Sequence, residues 1–127
     1  MSHEKHFDLV IVGGGAAGLS AGMYAGRYLL KVAVIRGKEP GGETATASII
    51  ENWPGTIAID GFDLIQNMEA HAKESGAELF NGEVAKIEKR KDCFYSTVGD
   101  DIFVSKAVIL GVGSARKKLG LPNEDHL

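Results

Sequence analysis

The chain has 127 residues, 44% of them apolar, and a formal net charge of −3 from 14 basic and 17 acidic side chains. That is enough for one domain with a core, and the slight acidic excess gives no basis for nucleic-acid binding. The single cysteine, Cys93, excludes an internal disulfide framework and suits a reducing compartment.

DLVIV (8–12) has no polar–apolar alternation, so both faces are expected to be buried, as in a central parallel strand. Glycines interrupt the run at Gly13, which leaves it too short for a secretory signal core. No stretch approaches the ~20 apolar residues of a membrane span, and a cytoplasmic location is expected. From Ala16 to about Leu30 the pattern is helical, with Gly18, Gly22 and Gly26 on one face. Glycine inside a helix costs about 1 kcal/mol relative to alanine, so this stripe predicts close approach to a sheet. KVAVI (31–35) predicts a second buried strand and completes a βαβ unit.

Residues 36–59 carry turn signals at Gly37, Pro40-Gly41-Gly42 and Pro54-Gly55. A connection this long in a compact domain is expected to bind something. DGFDLIQNMEAHAKESG (60–76) predicts an amphipathic helix capped by Asp60 or Gly61 and stopped by Gly76. Its expected buried stripe is Phe62, Ile65, Met68 and Ala72. ELFNGEVAKIEKR (78–90), CFYSTV (93–98) and DIFVSK (101–106) predict an antiparallel meander with turns at 91–92 and 99–100. AVILGVG (107–113) predicts another buried strand ending on glycines. The expected fold is α/β: a Rossmann-like domain whose parallel sheet opens with βαβ and carries an antiparallel three-stranded β-meander.

Gly13-Gly14-Gly15-Ala16-Ala17-Gly18 satisfies G-x-G-x-x-G between a predicted strand and a predicted helix. In that context Gly13 permits the tight turn, Gly15 lets backbone approach a pyrophosphate, and Gly18 lets helix and strand pack closely. The helix N-terminus offers N–H groups and partial positive charge to phosphates. The acidic residue that usually ends the second strand and binds a ribose hydroxyl is absent. Arg36 stands there, either as a ligand for a 2′-phosphate or as a solvated strand end, with Glu39 able to reach the ribose from the loop.

With Gly41-Gly42, ENWPG (51–55) and GSARKKLGLP (113–122) following in order, the chain resembles the N-terminal FAD-binding half of low-molecular-weight thioredoxin reductases, in the pyridine nucleotide–disulfide oxidoreductase group. The resemblance runs from Phe7 to Leu121. It implies that Gly13, Gly15, Ala16, Ala17 and Gly18 face the FAD pyrophosphate. Gly37 to Gly42 would then pass along the AMP ribose and pyrophosphate, with Glu39 at the ribose. Glu43 and Asn52 would lie beside the ribityl chain and isoalloxazine, Val84 would meet adenine through its backbone, and Gly111 and Gly113 would bring the last strand close to the dinucleotide. It further implies electron flow from NADPH through FAD to a disulfide on a thioredoxin-like protein, and a homodimer.

The sequence departs from that pattern in places. Glu43 replaces the family's glutamine, and an ionised carboxylate there would disfavour an anionic reduced flavin. Gly111-Val112-Gly113 replaces A-T-G and loses a hydroxyl. A second G-x-G-x-x-G, a C-x-x-C pair and the C-terminal segment that completes the FAD site are not in the chain. Residues 1–127 are therefore expected to be the N-terminal portion of an FAD-binding domain with no catalytic residue of their own, and Cys93 reads as a buried structural thiol. The alternatives are the FAD half of a ferredoxin- or peroxide-reductase-linked flavoprotein, and a non-catalytic nucleotide-binding module. Lys86, Lys89, Arg90 and Lys91, interleaved with acids, read as a solvated hairpin end or a docking patch, and Arg116, Lys117 and Lys118 form a second basic group. Trp53 either stacks on a ligand or neighbouring subunit or packs beneath its turn. His3, His6, His71 and His126 show no metal spacing.

Overall fold

The computed structural model describes residues 3–114 and 118–124. In chain order the elements are β1 (His3–Val12), α1 (Ala16–Arg27), β2 (Val32–Ile35), α2 (Gly42–Thr46), α3 (Gly61–Glu74), β3 (Glu78–Phe80), β4 (Val84–Arg90), β5 (Cys93–Val98) and β6 (Asp101–Leu110). The strands form one six-stranded sheet in the order β3-β2-β1-β6-β5-β4. β3, β2, β1 and β6 are mutually parallel neighbours, and β6, β5 and β4 are antiparallel. The meander and the parallel sheet are thus one surface, joined at β6.

Two strand expectations change. The stretch 78–90 is two strands on opposite edges of the sheet, not one. Arg36 N–H and Gly37 N–H bond the carbonyls of Phe80 and Gly82, which holds the first part against β2. Gly82, with φ of +118°, then turns the chain away. Conversely, 101–106 and 107–110 are one continuous strand, which pairs with β1 on both sides of Lys106. The expected burial of 107–110 fails: Ile109 is 42% and Leu110 65% exposed. β5 pairs with β6 only as far as Ser105, so the outer flank of the last residues has no covering strand among the described residues.

α1 and α3 lie on one face over Leu9, Ile11, Val32 and Val34, with Leu19, Ile65 and Ala72 completing that core. Phe7, Val10, Ala33, Ile35, Val98 and Phe103 form a second cluster, in which the Phe80 and Phe103 rings meet edge to face at 4.9 Å. The glycine stripe of α1 serves two neighbours. A Cβ on Gly22 would meet Val34 at 2.8 Å, and one on Gly26 would meet the carbonyl oxygen of Ser75, at the end of α3, at 2.4 Å.

α1 ends earlier than the pattern suggested. Leu29 N–H bonds Gly26 and Leu30 N–H bonds Ala25, a Schellman closure with Leu29 at φ 64° in place of the usual glycine. α3 closes the same way with Gly76 at φ 111°. Asp60 caps α3 by accepting from the Phe62 and Asp63 N–H groups at 2.9 and 3.3 Å. The buried stripe of α3 is Gly61, Leu64, Ile65 and Ala72; Phe62 is 56% exposed. Gly61 packs against the Thr44 and Ala47 carbonyls, and the next residue round the helix therefore turns outward.

Candidate functional site

A cavity of about 740 Å³ opens where β1, β2 and β6 end, lined by Val12, Ile35 and Leu110 and by the loops that follow them. β1 leads to β2 on one side and has β6 on the other, so the cavity lies at the carboxyl ends of parallel strands where the chain order switches sides. That is the general place for ligands in open α/β sheets. Its size suits a small-molecule or cofactor site.

The floor is the turn after β1. Gly13 takes φ +119° and donates its N–H to the Ile35 carbonyl at 2.9 Å. Gly14 is pressed against Arg36, where a Cβ would sit 2.8 Å from the Arg36 Cα. Gly15 faces open space, its nearest neighbour for a Cβ being the Gly41 carbonyl oxygen at 3.6 Å. Gly15 is also the N-cap of α1, with no side-chain cap and no acidic residue in the first turn. The leading N–H groups and the positive end of the helix dipole are thereby left for an anion.

One wall is the β2–α2 loop. Gly41 is buried with φ +91°, and a Cβ there would meet Ile65 of α3 at 2.9 Å. The facing wall is Glu83 and Val84, and Gly37 N–H ties the two by bonding the Gly82 carbonyl at 2.9 Å. The third side is Gly111 to Ser114. Three carboxylates, Glu39, Glu43 and Glu83, lie along the lining, and Lys38 pairs with Glu83 at 3.3 Å.

Residues 7–127 match the family model described as pyridine nucleotide-disulphide oxidoreductase. The chain belongs to that family. It is 40% identical over 124 residues to a thioredoxin reductase of Treponema pallidum, an alignment covering 97% of this chain and 40% of the relative. Among solved structures it resembles the thioredoxin reductase of Lactococcus lactis, with a TM-score of 0.88 and 34% identity over 94% of this chain and 39% of that one. A second, from T. acidophilum, gives a TM-score of 0.87 and 38% identity over 94% of this chain and 40% of that one. The chain thus spans about 40% of the length of these relatives.

The residues that the family pattern singled out are largely gathered here. Gly13, Gly15, Ala16 and Ala17, Arg36 and Gly37, Glu39, Gly41 to Glu43, Val84, Gly111 and Gly113 all line the cavity. Gly18 and Asn52 do not. Gly18 is buried beneath the turn, where a Cβ would lie 1.8 Å from the Gly13 carbonyl oxygen. It packs the helix onto the loop and lies outside the cavity lining. Asn52 is exposed in the loop before α3. Arg36 is not a solvated strand end: its side chain is 19% exposed and ion-paired to Glu69.

Gly14, Thr44, Glu83 and Ser114 also line the cavity and were not singled out. Gly14 was visible as the middle of three glycines; Glu83 was hidden inside a stretch read as one strand. Cys93 is half-buried, against its expected burial, and lies in a separate depression with His6, Lys31 and Lys106. Glu88 takes both Lys86 and Arg90 as partners, so this stretch of β4 is a charge-paired hairpin. Those two partners hold the Glu88 carboxyl below its ordinary range, Lys86 contributing first. No cluster of three or more His, Cys, Asp or Glu suited to a metal ion exists among the described residues. No helix among them is long and apolar enough to cross a membrane. Arg116, Lys117 and His126 lie outside the described residues.

Proposed function

We propose that residues 1–127 form the N-terminal portion of an FAD-binding domain, in a thioredoxin reductase-like flavoprotein that passes electrons from NADPH through FAD to a protein disulfide. The observation that carries the reading is the floor of the cavity: an uncapped α1 N-terminus behind Gly15, the one glycine of the turn whose side-chain position is open. Such a floor fits a pyrophosphate, which must touch backbone. The lining fits the group further. Gly37 to Gly42 and Val84 would hold the adenosine half, and Gly111 and Gly113 would let the β6 exit approach the dinucleotide. When bound, FAD supplies the two-electron chemistry between a nicotinamide and a disulfide. This chain's residues bind and orient it, and among the described residues none is assigned a role as acid, base or nucleophile in that transfer. A thioredoxin-like protein substrate belongs to the same proposal and rests on the names of the relatives; a homodimeric assembly rests on the family resemblance, and a cytoplasmic location on the sequence reading above.

The test is the visible absorption spectrum of the purified chain after mixing with FAD and gel filtration. A flavin band that travels with the protein supports the reading, and a Gly15→Val variant should lose it. A protein that takes up no FAD, measured also by fluorescence titration at saturating concentrations, overturns it for this chain.

A further inference from the structure

In dinucleotide-binding βαβ units an acidic side chain near the end of the second strand binds the adenosine ribose, whereas an arginine nearby receives the 2′-phosphate of a phosphorylated dinucleotide. Arg36 stands one residue past β2 and lines the cavity beside Glu39. By residue type alone, the position favours a 2′-phosphate. Its partners argue the opposite. Nη1 donates to both carboxylate oxygens of Glu69 at 3.0 Å, and Nη2 donates to Oδ1 of Asn81. Nε has no partner but is itself buried.

The pair is fixed from several directions. Glu69 lies on α3, Asn81 lies between β3 and β4, and Arg36 N–H bonds the Phe80 carbonyl. The Arg36 and Glu69 side chains are only 19% and 16% exposed, so this is not a surface pair that solvent loosens. A ligand phosphate that captured Arg36 would leave Glu69 charged, largely buried and unpaired, which is costly. Among the described residues, Glu39 and Glu43 also lie on the lining and repel a further phosphate.

We infer that Glu69 is a specificity-determining residue: by holding Arg36, it makes the adenosine end accept a free ribose 2′-hydroxyl and reject a 2′-phosphate. The inference rests on the reading that this cavity binds an adenine dinucleotide. Glu69 acts through Arg36 and does not touch the ligand.

The experiment is calorimetric titration with ADP-ribose and with its 2′-phosphate, two ligands that differ only at the position in question. Wild type should prefer ADP-ribose by about tenfold or more. Glu69→Gln keeps the shape and removes the charge that holds the guanidinium, leaving only neutral acceptors at position 69 and Asn81, and should shift the ratio toward the 2′-phosphate by about tenfold or more. Arg36→Met combined with Glu69→Gln should lose that gain. Wild type that binds the 2′-phosphate as well as ADP-ribose overturns the inference without any variant, which keeps it testable if Glu69→Gln does not fold. ADP-ribose binding with an unmoved ratio in a folded Glu69→Gln protein overturns the inference alone. Failure of wild type to bind ADP-ribose at all overturns the dinucleotide reading, and this inference with it.

Discussion

A side chain on Gly13 would place its Cβ 2.0 Å from the carbonyl oxygen of Gly111. The two glycines are where β1 and β6 leave the sheet side by side, and Gly111 N–H bonds the Val12 carbonyl at 2.8 Å just below. Gly13 also holds φ +119°, which a side chain resists. Gly13→Ala must therefore part the two strand exits and strain the turn, and it should cost about 2 kcal/mol or more. Urea unfolding followed by far-UV circular dichroism measures it. A loss below about 0.5 kcal/mol would mean the exits separate freely.

Gly15, two residues on, should behave oppositely. Its backbone is extended, with φ −84° and ψ −166°, and its nearest prospective neighbour is at ordinary contact distance. Gly15→Ala should change stability by no more than about 0.5 kcal/mol, because the gain through the unfolded chain is offset by alanine's poorer fit at the N-cap. The same methyl occupies the approach to the α1 N-terminus, so FAD affinity should fall. Parallel denaturation and fluorescence titration separate the two effects, and unchanged affinity would show that phosphate does not sit against this turn.

The cap of α3 matters to the same cavity at one remove. Asp60 satisfies two leading N–H groups of the helix, and that helix carries Glu69 to Arg36. Asp60→Ala should cost about 1 kcal/mol, whereas Asp60→Asn, which keeps the accepting oxygen, should cost much less. Equal losses in the two variants, read from urea midpoints, would assign the effect to charge at the helix end rather than to the capping bond.

How much of this was legible in the sequence depends on the range of the cause. DLVIV and KVAVI, the glycine turn, the Asp60 cap and the Gly76 stop are set by local backbone preferences and could be read directly. The division of 78–90 could not, because Gly82 acts through a bond to Gly37 across the sheet. The partner of Arg36 lies 33 residues away on α3, so its residue type alone pointed toward a free cation. The exposure of Ile109 and Leu110 was equally hidden, since an apolar run reports what a strand can bury and not whether anything covers it.

Acid should loosen one turn before it touches the core. Glu124 accepts from the Leu119 and Gly120 N–H groups at 2.6 and 2.8 Å, and these bonds, Leu119 foremost, lower its pKa against a smaller desolvation effect. A carboxyl whose folded pKa is depressed stabilises its bonds above the ordinary glutamate range and loses them as pH falls through the folded value. The Leu119 and Gly120 amide resonances should therefore titrate together, with a midpoint below that of a free glutamate, and Glu124→Gln should abolish the shared transition. Independent midpoints for the two amides would mean the carboxylate does not bridge them.

The β6 edge makes the last prediction. From Lys106 to Leu110 the strand pairs with β1 on one side and, among the described residues, with no strand on the other. Ala107, Ile109 and Leu110 are exposed along that stretch. An apolar strand with free backbone donors and acceptors is a template for pairing with another chain, so the protein should self-associate as its concentration rises. Ile109→Lys places a charge on a side chain that is already 42% exposed, beside its neighbour Ile11 on β1 and away from the cavity lining. It should shift sedimentation toward monomer without moving the unfolding midpoint by more than about 1 kcal/mol. If Ile109→Lys associates as readily as wild type, the contact lies elsewhere on the surface; if wild type stays monomeric at every concentration, this edge is protected in solution in a way its exposure does not reveal.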